Sequence, residues 1–353
     1  MVSIWRTVLI VLVMLPSCAI VPNSDRGRAA LGRGLDDLPE VVDRRGEFAQ
    51  TFCARLAINA PSNSCDNEIW PAEYQSAGKE STTLDTEIYS EAKPVIILVG
   101  GAFEGCFGSQ SVVWPEAEGR LSAMGFEIYR VPVISRSGSA ANAKEIKSFI
   151  ASRVTKNRSI MLLGYSKGVV DSLSALAMYP DLAERVVALI GVAGPYAGSQ
   201  LADIGEAPYR ALFKESFPDT CNPGDGEVLA SLSTRSLARF HTLPLELTTT
   251  RFYSLSAWPA SERLAWILEP ASQLLAVDHP ANDGQVGVGE SLIPGVHWLG
   301  VVNSDHWGVG LALEDAGGNV LFANSAEQQF PRYNLLESLV LFAVRDVKAE
   351  GQR

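Results

Sequence analysis

The sequence predicts an α/β fold, with a mostly parallel sheet covered by helices on both faces. Short apolar runs rich in β-branched residues alternate with longer helix-like segments along most of the chain. One of these runs, at residues 160–163, leads directly into a glycine-flanked turn and a helical pattern. Residues 201–247 lack this alternation and contain the turn signal Asn222-Pro223-Gly224, which predicts a cap or lid insertion.

The individual elements follow from their residue patterns. Residues 38–56 have a helical pattern in which Pro39 falls in the first turn, where proline is tolerated. Residues 93–99 form a strongly β-branched strand, and residues 251–257 alternate apolar and polar side chains as a strand does. The remaining predicted strands are 126–134, 160–163, 186–192 and 295–302. The remaining predicted helices are 111–124 (broken near Pro115), 140–154, 169–179 and 333–347.

Ser166 is the candidate nucleophile. It stands at the centre of Gly164-Tyr165-Ser166-Lys167-Gly168, between an apolar strand and a helical pattern. A turn of this kind exposes the serine hydroxyl, and its glycines remove Cβ atoms where strand and helix come close. The five-residue pattern also occurs by chance, so the strand–turn–helix context carries the interpretation.

A serine nucleophile needs a histidine to take its proton and a carboxylate to orient that histidine. His306 follows the last predicted strand, and Asp283 precedes it by 23 residues in an Asn-Asp-Gly turn. This order, nucleophile then acid then histidine, selects His306 and Asp283. Asp278 is the second candidate acid, whereas Asp305 adjoins His306 and is badly placed to hold its ring. The other histidines are poorer candidates by position: His241, His279 and His297.

The negative charge that develops on the substrate oxygen needs backbone N–H donors. Lys167, the residue after the serine, should supply one donor. The loop Gly100–Gly105, after the strand at 93–99, should supply the other, with Ala102 as the first choice and Phe103 as the second. The Lys167 side chain itself is expected to lie in solvent.

In these features the chain resembles the α/β-hydrolase superfamily, and within it the bacterial triacylglycerol lipases and related esterases. The resemblance covers residues 94–342 and includes, in order, the strand and glycine loop, the nucleophile turn, residues 194–203 leading into the lid, and the acid and histidine loops. It implies an α/β-hydrolase domain over residues 38–353. It also implies hydrolysis of carboxylic esters through an acyl-enzyme on Ser166, Asp283 and His306.

The chain departs from that family at two places. Gly100 replaces the usual histidine of the oxyanion loop, which leaves the second donor open. Many of these lipases carry an acidic residue just after the histidine that helps to bind calcium, but here Trp307-Gly308-Val309-Gly310 follows. No His/Cys spacing predicts zinc. We therefore expect no metal and no cofactor.

Two other kinds of function fit the same residues. An acyltransferase or a polyester depolymerase would use the same triad. A non-catalytic envelope lipoprotein could retain the fold, although a complete Ser/Asp/His set argues against a decayed site. The net charge of −11 and the lack of a basic patch argue against nucleic-acid binding.

The N-terminus predicts export. Arg6 precedes an apolar run, residues 8–15, that is too short to span a bilayer, so residues 1–17 are predicted to be a signal peptide. Leu15-Pro16-Ser17-Cys18 resembles a bacterial lipoprotein processing site, with Cys18 as the lipid-modified residue. Plain cleavage near residues 17–21 and a retained anchor are the alternatives. Residues 18–37 are then a flexible tether, and the protein is placed in the bacterial envelope or outside the cell.

Four cysteines remain in the mature chain: Cys53, Cys65, Cys106 and Cys221. An exported protein meets oxidising conditions, so two disulfides are expected, although three pairings are possible and buried free thiols are the alternative. The local pair Cys53–Cys65 is favoured. Cys106–Cys221 would then connect the oxyanion loop to the insertion.

Overall fold

The computed structural model describes residues 40–70, 93–106, 111–205, 221–238, 249–311 and 330–351. The predicted signal peptide at residues 1–17, Cys18, the tether to residue 37, His241 and much of the predicted lid lie outside these ranges. Within the described residues, no helix has both the length and the apolar character needed to cross a membrane.

The described residues form one sheet of eight strands. The strands are β1 (Val42–Asp43), β2 (Ile69–Trp70), β3 (Val95–Val99), β4 (Ile128–Arg130), β5 (Ile160–Tyr165), β6 (Val186–Val192), β7 (Arg251–Ala257) and β8 (His297–Val302). Their spatial order is β4-β3-β5-β6-β7-β8-β1, with β2 also paired to β8. All pairs are parallel except β2 with β8, so the predicted, mostly parallel α/β sheet is confirmed.

Helices cover the sheet. In the described residues they are α1 (Arg45–Asn59), α2 (Cys65–Glu68), α3 (Ala117–Ala123), α4 (Ser139–Arg153), α5 (Lys167–Met178), α6 (Pro180–Ala183), α7 (Val228–Leu232), α8 (Thr234–Leu237), α9 (Glu269–Leu275) and α10 (Arg332–Gly351).

Two hydrophobic clusters lie on opposite faces of the sheet, and β3 contributes to both. Ile96 and Leu98 pack with α1, α3 and α10, whereas Val95, Ile97 and Val99 pack with α4 and α5. Successive side chains of a strand point to opposite faces, so a strand between two helical layers must be apolar at every position. That requirement explains why the sequence of β3 is an unbroken apolar run.

The strand order reverses beside β3, and this reversal locates the site. The chain passes from β3 to β4 on one side and then returns to β5 on the other side. In open α/β sheets, ligands bind in the crevice outside the carboxyl ends of the strands at such a reversal. The carboxyl ends of β3 and β5 lead into the Gly100–Gly105 loop and into Ser166, respectively.

Two helices begin later than the sequence pattern predicts. The predicted helix at 38–56 starts at Arg45, because the preceding segment hydrogen-bonds to β8 through Val42 N to Val296 O and Arg44 N to Trp298 O. The predicted helix at 111–124 starts at Ala117, since Trp114 has a φ of 41° that an α-helix does not accommodate. In the first case pairing with a distant strand overrides local propensity.

Both favoured disulfides are present. Cys53 bonds to Cys65, which joins α1 to the start of α2. Cys106 bonds to Cys221, which joins the loop after β3 to the segment that precedes α7. Disulfides are typical of extracellular and periplasmic proteins.

The two disulfides should contribute unequally to stability. Cys106–Cys221 closes 115 residues and Cys53–Cys65 closes 12, so loop-closure entropy predicts that removing the longer bridge costs about 2 kcal/mol more. Urea unfolding of Cys106→Ala/Cys221→Ala and Cys53→Ala/Cys65→Ala will measure the difference. A larger loss in the second variant would contradict this expectation.

Candidate active site

Ser166 lies in a sharp turn between β5 and α5, and its backbone is strained. Its φ of 51° and ψ of −125° are rare for a residue with a side chain, and such conformations cost about 1–3 kcal/mol. The Ser166 amide donates to Val192 O at 2.9 Å, which ties the turn to β6. Ser166 thus follows β5 directly, at the carboxyl end of the sheet.

The glycines on either side permit this turn. A Cβ on Gly168 would lie 2.1 Å from Val99 O, and a Cβ on Gly164 would lie 2.8 Å from Val169 Cα. Both distances are far below a normal contact, so only hydrogen fits. The first turn of α5 therefore packs directly against the end of β3.

The structure brings Ser166, His306 and Asp283 into one hydrogen-bonded series. Ser166 Oγ lies 2.9 Å from His306 Nε2, and His306 Nδ1 lies 2.8 Å from Asp283 Oδ2. The His306 and Asp283 side chains are almost completely buried. The hydroxyl, the imidazole and the carboxylate thus have the contacts that a nucleophile, a base and an orienting acid require.

Backbone groups hold both partners of the serine. Asp283 Oδ1 accepts from the amides of Gln285 and Val286 at 2.8 and 2.7 Å, while the His306 amide donates to Asp283 O at 2.9 Å. The Tyr165 hydroxyl donates to His306 O, and burial raises the pKa of that hydroxyl so that it keeps its proton. The two loops are therefore connected to each other and to the nucleophile turn.

Asp305 is buried but does not contact the His306 ring. Its carboxylate accepts from the amides of Ala265 and Gly308 at 2.8 and 2.7 Å. Burial raises the pKa of Asp305 to about 6, although the two backbone donors act in the opposite direction. Asp305 holds the turn that carries His306, and it does not orient the ring.

The other described candidates lie elsewhere. Asp278 accepts a hydrogen bond from the Gln200 side chain. His279 lies 3.7 Å from Glu290, and burial lowers its pKa. His297 lies 3.8 Å from Asp346, and burial followed by the Arg251 charge lowers its pKa to about 4.

The two predicted anion donors belong to segments that lie next to Ser166. The loop after β3 approaches Ser166 so closely that a Cβ on Gly101 would lie 3.1 Å from Ser166 Cβ. Among the described residues, the backbone N–H groups of Ala102 and Lys167 donate to no protein acceptor. The next residue, Phe103, has a φ of 63°, which marks the sharp turn of this loop.

The expectation that the Lys167 side chain lies in solvent is wrong. Lys167 is completely buried, and its ammonium donates to both carboxylate oxygens of Asp171 at 2.5 and 2.8 Å. Asn142 on α4 donates to the same carboxylate at 2.7 Å. The reason is that the first ten residues of α5 are all buried between the sheet and α4. The sequence contained one signal for this buried pair, namely two opposite charges four residues apart on an otherwise apolar helix.

The residues after His306, Trp307–Gly310, supply no carboxylate of the kind that often binds calcium. Within the described ranges, no group of three His, Cys, Asp or Glu side chains could hold a metal ion.

Structural comparison finds similar proteins of known type. The metagenomic carboxyl esterase MGS0156 is 30% identical over 96% of this chain and 99% of its own, with a TM-score of 0.73. The mature lipase BlEst2 of Bacillus licheniformis is 22% identical over 61% of this chain and 86% of its own, with a TM-score of 0.50, a likeness of fold alone. No protein-family model and no curated protein matches the sequence.

The Lys167–Asp171 pair should be needed for stability. Lys167→Met leaves a buried carboxylate without its cation, and breaking a buried pair in this way costs about 3–5 kcal/mol. Lys167→Met/Asp171→Leu removes both charges and should recover most of that loss. Guanidinium unfolding will compare the two variants. If the single variant were as stable as wild type, the pair would not be a structural element.

Proposed function

Because this chain belongs to the carboxyl esterases of the α/β-hydrolase superfamily, we propose that it hydrolyses carboxylic esters through an acyl-enzyme formed on Ser166. The observation that carries the proposal is the continuous hydrogen-bonded series Ser166–His306–Asp283, with 2.9 and 2.8 Å between its polar atoms. This series ends at the strained turn that directs the hydroxyl into the crevice.

The contacts assign a role to each side chain. Ser166 Oγ attacks the carbonyl carbon of the ester while His306 Nε2 takes its proton. Asp283 holds His306 Nδ1–H and stabilises the charged ring that forms. The imidazolium then gives its proton to the departing alkoxide, which leaves as the alcohol. Water, activated by His306, attacks the acyl group in the same way and releases the acid.

The oxyanion of each tetrahedral intermediate needs donors that are already in position. The Lys167 amide, at the first turn of α5, and the Ala102 amide, in the loop after β3, are the proposed donors. Both lie beside Ser166, and neither is used within the described protein. The helix N-terminus adds a favourable electrostatic field at the same place.

Substitution of the three side chains tests the mechanism. Ser166→Ala should abolish covalent labelling by a fluorophosphonate and nearly all hydrolysis of p-nitrophenyl butyrate, with the fold intact by circular dichroism. His306→Ala should lower kcat by about 10⁴-fold or more, because it removes the general base. Asp283→Asn should lower kcat by somewhat less, because it removes only the group that orients the base.

His297→Ala is the matched control, because His297 starts the same strand, β8, and lies away from Ser166. It should keep wild-type kcat. Damage by His297→Ala with His306→Ala fully active would refute the proposed relay. Full labelling of Ser166→Ala would refute the nucleophile. Transfer of the acyl group to an added alcohol, with no free acid formed, would favour the acyltransferase alternative.

We also propose that the protein acts outside the cytoplasm, anchored through a lipid on Cys18. The two disulfides support an oxidising compartment, whereas the anchor is inferred from Leu15–Cys18 alone.

Mass spectrometry of protein from the native envelope tests the export proposal. The mature chain should begin at an acylated Cys18, and no other cysteine should be alkylated before reduction. An intact Met1 together with four alkylatable thiols would contradict export. A plain N-terminus between residues 17 and 21 would contradict the anchor alone.

A further inference from the structure

We propose that Glu104 is a positioning residue for the loop after β3, because its carboxylate fills the space of a side chain at residue 100 and connects this loop to the His306 loop. The inference rests on the proposed function, since it concerns the loop that carries the Ala102 donor. It concerns residue 100, the position of this loop at which the chain has glycine in place of the family's usual histidine.

The first support is steric. A Cβ built on Gly100 would lie 1.3 Å from Glu104 Oε2, so the carboxylate occupies the place where a side chain at residue 100 would begin. Gly100 does not have a positive φ, so its backbone could accept other residues. A side chain at residue 100 would therefore meet the Glu104 carboxylate before any other group, and the backbone geometry does not exclude it.

The second support is the set of groups that hold the carboxylate. Glu104 Oε1 accepts from the Val113 amide and from Arg130 Nη1, both at 3.0 Å. Arg130 also donates to Glu118 and to Trp114 O, which fixes the guanidinium at the end of β4. The Glu104 side chain is 13% exposed, compared with 40% for Glu118. Glu104 is thus anchored from two sides.

The third support is the connection beyond Val113. The Trp114 amide donates to Gly310 O at 2.8 Å, and the Trp114 indole donates to Val309 O at 3.1 Å. Val113 itself forms a β-bridge with Leu311. These contacts join the segment held by Glu104 to the residues that follow His306. One carboxylate therefore links the loop of the Ala102 donor to the loop of the base.

Charge pairing makes the arrangement compatible with catalysis. A free carboxylate next to an oxyanion loop would oppose the negative charge that develops there. Arg130 offsets part of the Glu104 charge, although it is shared with Glu118, and burial raises the Glu104 pKa. Both effects reduce the negative charge that Glu104 places beside the loop.

Steady-state kinetics on p-nitrophenyl butyrate tests the role of Glu104. Glu104→Ala should lower kcat about 10- to 100-fold with KM unchanged, because displacing a donor affects the transition state and loss of a whole donor costs about 10²–10³. Glu104→Gln keeps an oxygen for the Val113 amide, so kcat should return to within about fivefold of wild type. Binding of phenylboronic acid, which forms a tetrahedral anion on the serine, should weaken in parallel with kcat.

Gly100→Ala provides a second test that leaves Glu104 in the chain. Its methyl group must displace the carboxylate, so it should lower kcat to the level of Glu104→Ala. The double variant should be no worse than Glu104→Ala alone, because the methyl group then enters vacated space. Multiplicative losses in the double variant would overturn the proposal. If Glu104→Ala does not fold, wild-type kcat in Gly100→Ala alone would overturn it.

Glu118→Gln is the matched control, since Glu118 pairs with the same arginine without contacting the loop. Its kcat should equal that of wild type. An equal loss in Glu118→Gln and Glu104→Ala, or wild-type kcat in Glu104→Ala, would overturn the positioning role. Failure of the proposed function is a different result, because Ser166→Ala would then retain turnover.

Discussion

The close approach of the first turn of α5 to the end of β3 is the constraint on which the site depends. Only a hydrogen atom on Gly168 fits against Val99 O, so the helix starts in direct contact with the strand. The chain must therefore reverse within one residue, and Ser166 takes up the strained backbone conformation. The same contact brings the Lys167 amide beside the loop that contains Ala102. One packing contact thus orients the nucleophile and the proposed anion donors together.

The acid and histidine loops depend on a different constraint, the need of buried carboxylates for hydrogen-bond donors. Asp283 and Asp305 each accept from two backbone amides. A buried carboxylate without donors is costly, so these loops are most stable when folded around their aspartates. His306 contacts one of these aspartates and follows the other in the chain, and its carbonyl oxygen accepts a hydrogen bond from the Tyr165 hydroxyl. These hydrogen bonds therefore hold the Asp283 and His306 side chains next to each other.

Buried polar and charged groups near Ser166 join a helix to a helix and a loop to a strand. Lys167, Asp171 and Asn142 link α5 to α4 behind Ser166. Glu104 and Arg130 link the loop after β3 to β4 in front of it. Buried pairs add little net stability compared with apolar packing, but breaking one is costly, so they favour a single arrangement of the elements they join.

The sequence by itself predicted six of the eight sheet strands, the turn around Ser166, the order of Asp283 and His306, and the local pair Cys53–Cys65. These features depend on neighbouring residues or on the alternation of strands and helices, which local physical chemistry governs. Only the tertiary structure decided that β1 replaces helix before Arg45, that Lys167 is buried, and that Glu104 occupies the space beside Gly100. Each of these depends on a contact with another element, and local propensity carries no information about which element will be there.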